Sequence, residues 1–368
     1  RQRQMCIRDR YERALLVTGG SSMIKSGVIA RAEKYLQMNG TETDLFSGVP
    51  KNPSIEDVLK GLVICRKFKP DVILAIGGGS AMDCAKAILL FYEFPYLNFE
   101  NVLEFNKKGE IPTERKTGLI CVPSTSGTGS EVTRGTVITD PEKELKVPIM
   151  TDCLRPDLAI LDPEITMTMP DHVAAETGMD ALTHAIEAYT NHNLDDFDEG
   201  LCSSAIIGIM KWLPVSVFDK TLEAREKVHN YQAMAGIGFA NVGLGMVHGI
   251  AHSFGAAYNM AHGLTNAIIL PYVLRYNSRD AVVREKLAEL SYRCHCDDII
   301  TEIEKMREKL GIPASFREAG ITEEMYREKY DLLLEHAMLG ATNVNPVKMT
   351  IEEMKKMLNV VYTGNWEI

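Results

Sequence analysis

The chain lacks a positive charge excess. Its 40 Lys and Arg are outnumbered by 50 Asp and Glu, for a net charge of −10, which argues against nucleic acid or an anionic membrane surface as a partner. No apolar run reads as long enough to cross a bilayer, and no hydrophobic leader is present, so a cytoplasmic location is expected. Cysteine is sparse and scattered. Of the 8 cysteines only Cys294 and Cys296 lie close, in "CHC", and no second pair completes a structural zinc site. Free thiols of a reducing compartment are the expectation. No GxGxxG follows the first predicted strand and no GxxxxGK[ST] occurs, which excludes two common nucleotide motifs. Internal repeats and low-complexity linkers are absent as well.

What remains is ordinary globular material. The 368 residues are 45% hydrophobic and 24% charged, enough for two domains and a substantial core. "RQRQMCIRDR" at the start resembles adapter-derived sequence, and residues 1–10 are set aside as a non-native segment. Residues 11–163 alternate short apolar runs with amphipathic stretches. "ALLVTGG", "ETDLFSG", "DVILAIGGGS" and "GLICVPSTSGTGSE" read as strands, the last two running into loops, and "SIEDVLKGLVICRKFK" as a helix opened by Ser54 with Asp57 three residues on. That alternation predicts an α/β domain with a parallel sheet covered on both faces. Residues 164–368 hold long helical patterns and few strand candidates, predicting an all-helical second domain.

Two loops look built for an anion. Gly77, Gly78 and Gly79 with Ser80 follow a strand and open a helix, whose first N–H groups are free to face a phosphate. Asp83 then orders the loop or bonds a ribose. "PSTSGTGSE" (123–131) ends another strand, and two such loops flank the crevice where open α/β sheets bind ligands.

The second domain buries charge. "TGMDALTHAIEAY" puts Asp180 and His184 one turn apart in an apolar helix, where an uncompensated charge costs several kcal/mol. "GMVHGIAHSFGAAYNMAHG" adds His248, His252 and His262 on largely uncharged segments. A divalent cation bridging these groups removes the cost. One Asp and three His suit Fe(II), Zn(II), Co(II) or Mn(II). Spacing does not choose between His252 and His262 as the fourth ligand. His172, His192, His229, His295 and His336 have polar neighbours and read as surface.

These motifs in this order resemble the iron-containing, or group III metal-dependent, alcohol dehydrogenases, from about Tyr11 to near the C-terminus. The resemblance implies an N-terminal Rossmann-like dinucleotide-binding domain, a C-terminal all-α metal domain of the dehydroquinate synthase-like fold, and a metal in the cleft between them. It assigns Asp180, His184, His248 and His262 as ligands, with Fe(2+) or Zn(2+) bound. His252 becomes a candidate proton relay, and Thr125, Ser126 and Lys146 become cofactor contacts beside the glycine loop. The implied reaction moves a hydride between NAD(P)(H) and a small primary alcohol or aldehyde, in a homodimer or higher homo-oligomer. Members usually carry further residues ahead of the first strand, which are expected to be missing here or replaced by the suspect segment.

One departure bears on the cofactor. Many NAD-preferring members read "VTD" where this chain reads "VTGGSS", with Gly19 in place of the acid, then Ser21, Ser22 and Lys25. Losing the acid removes repulsion of a 2′-phosphate, so NADP(H) is favoured over NAD(H). A zinc-dependent polyol dehydrogenase and a dehydroquinate-synthase-like lyase share the fold and are the nearest alternatives. A metal hydrolase and a non-catalytic binder are the rivals from other classes.

Overall fold

A computed structural model describes residues 11–141 and 145–366. The proposed non-native segment 1–10 lies outside the described residues. Contacts divide the chain into two units: residues up to Ser124 with Ser130–Thr168, and Thr125–Gly129 with Met169 onward. The segment Thr125–Gly129, which the sequence reading left in the first domain, thus groups with the second.

In the first unit, β1 (Arg13–Gly19) is followed by α1 (Ser22–Lys25), α2 (Val28–Met38), β2 (Glu42–Val49), α3 (Ile55–Phe68) and β3 (Val72–Gly77). Then come α4 (Gly79–Glu93), α5 (Val102–Lys108), β4 (Gly118–Pro123), β5 (Gly135–Asp140), β6 (Leu145–Met150), β7 (Leu158–Ala159) and α6 (Pro163–Thr166). Five strands pair in the order β2-β1-β3-β4-β7, all parallel. β1 and β3 are buried on both faces, which is why they read as continuous apolar runs. Helix α3 starts as its sequence predicts. The Ser54 hydroxyl accepts from the Asp57 N–H, and the Ser54 N–H donates to the Asp57 carboxylate at 2.9 Å. The antiparallel ribbon β5–β6 was not anticipated.

Strand order reverses at β1, whose neighbours are β2 on one side and β3 on the other. In a parallel sheet the crevice outside the carboxyl ends of such strands is where ligands bind. The chain places its glycines there. A Cβ on Gly77 would lie 2.7 Å from the Ala81 Cβ and 3.6 Å from the Gly19 nitrogen, so the turn from β3 into α4 closes tightly only without a side chain.

The second unit is helical: α7 (Asp171–Thr190), α8 (Asp196–Phe218), α9 (Leu222–Val242), α10 (Met246–Tyr258), α11 (His262–Asn277), α12 (Ala281–Arg293), α13 (Ile299–Lys309), α14 (Glu323–Glu328), α15 (Tyr330–Ala337) and α16 (Ile351–Thr363). Leu182 and Ile186 of α7, Ile250 and Phe254 of α10, Ile269 of α11 and Val361 of α16 share one fully buried core, each side chain contributing roughly 1.5–3 kcal/mol by leaving water. The expectation of no membrane-length apolar run needs correction, because α8 has the length and composition to cross a bilayer. Its hydropathy has another cause within the unit. Ala205, Ile206, Ile209 and Leu213 are fully buried in the core that α8 forms with α7 and α9.

Candidate metal centre

Helix α7 carries Asp180 and His184 on one face, both almost wholly buried. Helix α10 supplies His248. The chain then turns at Asn259, in the left-handed region at φ 51°, and α11 begins with His262. Gly263 allows that approach, since a Cβ there would sit 2.2 Å from the Glu176 carbonyl oxygen of α7. The result is convergence. The Nε2 atoms of His184 and His248 each lie 4.0 Å from Asp180 Oδ1, and that of His262 lies 3.7 Å away. One ligand atom from each of the four falls within 4.8 Å of all the others. Donors about 2.1 Å from a tetrahedral ion stand about 3.4 Å apart, so one cation fits with small closure.

The surroundings hold the His184 and His248 rings in place. Burial, then the nearby His248 ring, pushes the His184 imidazole well below its usual value, against a backbone hydrogen bond with Gly127. Its ring stacks on Phe239 at 4.4 Å and on His248 at 4.6 Å. His248 Nδ1 lies 2.6 Å from the Glu187 carboxylate, which also accepts from the Val247 N–H at 2.7 Å. A carboxylate only accepts, so Nδ1 carries a proton and Nε2 is the ring nitrogen turned toward Asp180.

Known proteins match the chain over most of its length. Residues 3–163 match the family described as iron-containing alcohol dehydrogenase, and residues 174–362 match its C-terminal counterpart. The chain belongs to the iron-containing alcohol dehydrogenase family. It is 39% identical to the NADPH-dependent butanol dehydrogenase of Clostridium saccharobutylicum, over 96% of this chain and 92% of that one. It is also 39% identical to an alcohol dehydrogenase of Thermococcus barophilus, over 93% and 90%. Among solved structures, the iron-containing alcohol dehydrogenase of Thermococcus thioreducens superposes with a TM-score of 0.89 at 35% identity, covering 96% and 94% of the two chains. The fold expected from the resemblance is borne out. Membership makes the chain a metal-dependent alcohol dehydrogenase, an oxidoreductase, in preference to the polyol dehydrogenase or lyase of the same fold.

Within this dehydrogenase the remaining candidate residues fall into two groups. Gly19, Gly77, Gly78, Gly79 and Ser80 gather at the carboxyl ends of β1 and β3, and Ser21, Ser22 and Lys25 lie exposed at the start of α1 and along it. Asp83 is engaged with the segment after β4 and with β5, not with the glycine loop for which it was expected. Its carboxylate accepts from the Ser130 hydroxyl at 2.8 Å and the Val137 N–H at 3.0 Å. Burial raises its carboxyl, against the pull of Lys86. Lys146 donates to Asn52 at 3.1 Å. Thr125 and Ser126 belong to the second unit, where the Ser126 hydroxyl meets His229 Nδ1 at 2.9 Å and the Gly129 N–H donates to Gln232 at 3.1 Å. His252 stacks on His262 with centroids 5.2 Å apart, beside the four converging donors and outside their set.

One surface expectation fails. His172, His192 and His295 are exposed and His336 is half-buried, but His229 is 1% exposed. Its charged neighbours Glu226 and Lys227 suggested solvent. The signal was the helical spacing of Val228, Gln232 and Ala235, which places His229 on the inner face of α9. Three other buried polar residues were passed over: Glu187, Asn266 and Lys86. Lys86 Nζ donates to the carbonyls of Ser130, Thr133 and Gly135 at 2.6–2.9 Å, fastening the loop after β4. Desolvation lowers its ammonium, and Asp83 supports it.

Proposed function

We propose that Asp180, His184, His248 and His262 hold one divalent cation, iron(II) with zinc(II) as substitute, and that the chain interconverts short primary alcohols and aldehydes with NADP(H) favoured over NAD(H). The observation that carries the reading is the approach of three Nε2 atoms to one buried carboxylate oxygen. When bound, the cation supplies Lewis-acid polarisation of the substrate oxygen and the nicotinamide supplies the hydride carrier. The chain's own residues do the rest. Glu187 fixes the His248 tautomer, and the apolar residues of α7 and α10 exclude water from the ligands. His252, within ring-stacking reach of His262, takes or returns the carbinol proton.

The glycines at 77–79 admit the cofactor pyrophosphate close to the backbone, with Thr125, Ser126 and Lys146 as further contacts. Gly19, Ser21, Ser22 and Lys25 support NADP(H), since no acid stands there to repel a 2′-phosphate. The butanol substrate and NADPH dependence named for the clostridial relative support the same choice. Seven cysteines, none in a disulfide among the described residues, support a cytoplasmic setting. The β2 edge of the sheet supports homo-oligomer formation, which light scattering tests.

Anaerobic reconstitution of apo-protein with Fe(II) or Zn(II), followed by a screen of short alcohols and aldehydes with both cofactors, tests the function. Turnover that appears only with metal, and faster with NADPH, is expected. Metal-independent turnover, or none with any short alcohol, overturns it.

A further inference from the structure

Helix α11 brings a second polar group to the ligands. Asn266 follows His262 by one turn and so shares its face. It is fully buried. Its Nδ2 lies 2.6 Å from Asp180 Oδ1, 3.1 Å from His248 Nε2 and 3.2 Å from His262 Nε2. The amide touches three of the four candidate ligands at the atoms that would bind the cation; each Nε2 has one lone pair and would give up its contact to a cation, whereas Asp180 Oδ1 has a second and can keep the amide bond. Its orientation is fixed by charge, because the opposite flip would press an amide oxygen against a carboxylate oxygen at the shortest of these distances. That orientation has a cost. Asn266 Oδ1 is buried with no hydrogen-bond partner among the described residues, a penalty of the kind a fold tolerates when the other end of the amide is needed.

We propose that Asn266 is a positioning residue of the metal centre, whose amide N–H group holds the Asp180 carboxylate in one orientation and limits it to a single donor oxygen. The inference rests on the metal-site reading above. A hydrogen bond to Asp180 Oδ1 stops that carboxylate rotating and draws electron density from it. Outer groups of this kind typically change metal affinity by about 10–100-fold. A core residue that merely fills space would leave affinity and coordination unchanged.

The test uses Asn266→Leu, which keeps the side-chain shape, and Asn266→Ala, which removes it, both compared with wild type by circular dichroism. Zn(II) affinity is measured by chelator competition and coordination by the visible spectrum of the Co(II) form. Both variants are expected to bind Zn(II) about 10–100-fold more weakly. Both should show weaker Co(II) bands, as the released carboxylate raises the coordination number. A folded variant of either kind with wild-type affinity and spectrum overturns the proposal. Misfolding of both variants also counts against it, since a positioning role predicts a stable fold with an altered centre. Wild-type protein that binds neither ion at one equivalent would instead sink the metal-site reading itself, so the two failures are distinguishable.

Discussion

Replacing Glu187 with glutamine keeps the side chain's size and changes only its hydrogen-bond sense. The carboxylate accepts two bonds, from the Val247 N–H at 2.7 Å and from His248 Nδ1 at 2.6 Å. Glutamine has one accepting end and one donating end, so it cannot serve both. With its oxygen toward Val247, the amide N–H faces Nδ1 and drives the imidazole proton to Nε2, where it blocks the lone pair directed at Asp180. With its oxygen toward His248, the Val247 N–H is left facing a donor inside the core. An unsatisfied buried donor costs about 1–3 kcal/mol. At about 1.4 kcal/mol per decade that is roughly a 5- to 150-fold loss, in line with the ~10–100-fold typical of groups behind a metal-bound histidine. The assay is Zn(II) competition against a chromophoric chelator on the apo-variant, with urea unfolding run alongside. Glu187→Gln is expected to weaken Zn(II) binding by about 10–100-fold. Affinity within about twofold of wild type would refute the tautomer argument, because that loss is far below what a misdirected imidazole entails.

Three further outcomes follow from single side chains. Gly19→Asp should lower the NADPH-to-NADH ratio of kcat/KM by about tenfold or more, equivalent to ~1.4 kcal/mol; an unmoved ratio would detach cofactor choice from this position. His229→Ala frees the Ser126 hydroxyl from its bond to α9. Cofactor KM should rise about 2–10-fold, the worth of one hydrogen bond, with His229→Gln restoring part of it, and equal KM values would remove Ser126 from the cofactor contacts. Glu93 gives a pH signature. Burial pushes its carboxyl up, but the Lys116 and Thr117 N–H groups and the Thr117 hydroxyl outweigh this and hold it below the ordinary value of 4.5. Its contribution to stability is therefore full above pH 4.5 and is lost as pH falls through the lower folded value. Wild-type urea midpoints should fall more steeply below pH 4.5 than those of Glu93→Gln, and parallel curves would contradict this.

Local pattern carried the architecture where one element's own residues decide its state. β1 and β3 read as buried strands because both faces are apolar, and α3 announced its start through Ser54 and Asp57. The ribbon β5–β6 stayed hidden for a physical reason. Pro148 in β6 lacks an N–H to donate and argues against a strand, yet it pairs opposite Val137 in a two-stranded ribbon, where a strand end or edge tolerates proline. Asp180, His184, His248 and His262 stood out because each sits among apolar neighbours. Glu187, Asn266, Lys86 and His229 were harder to see. Each is buried beside partners from another element: His248 for Glu187, Asp180 for Asn266, the Ser130–Gly135 loop for Lys86, Ser126 for His229. Sequence shows a polar residue in a helix but not the neighbour that satisfies it.

Helix α7 explains why so much charge is buried in one place. Asp180, His184 and Glu187 follow at intervals of four and three residues, so they share one face. Ala181, Leu182, Ala185 and Ile186 occupy most of the other positions in those roughly two turns and are fully buried. With apolar packing on its other sides, α7 cannot turn its polar face to water, and the face must be satisfied by α10 and α11. Glu187 takes the Val247 N–H and the His248 ring, and Asp180 takes the Asn266 amide. Each partner thereby fixes a helix relative to α7, and the Nε2 atoms are directed to Asp180 as a consequence of that packing. Breaking one member of such a buried network costs about 3–5 kcal/mol when it strands a charge. Asp180→Leu, which removes the charge along with its cost, should therefore unfold at higher urea than His248→Leu, which strands the Glu187 carboxylate, while both lose Zn(II) binding. The reverse order of midpoints would mean that the carboxylate–histidine pair, and not the carboxylate at the ligand centre, is the dispensable part of the core.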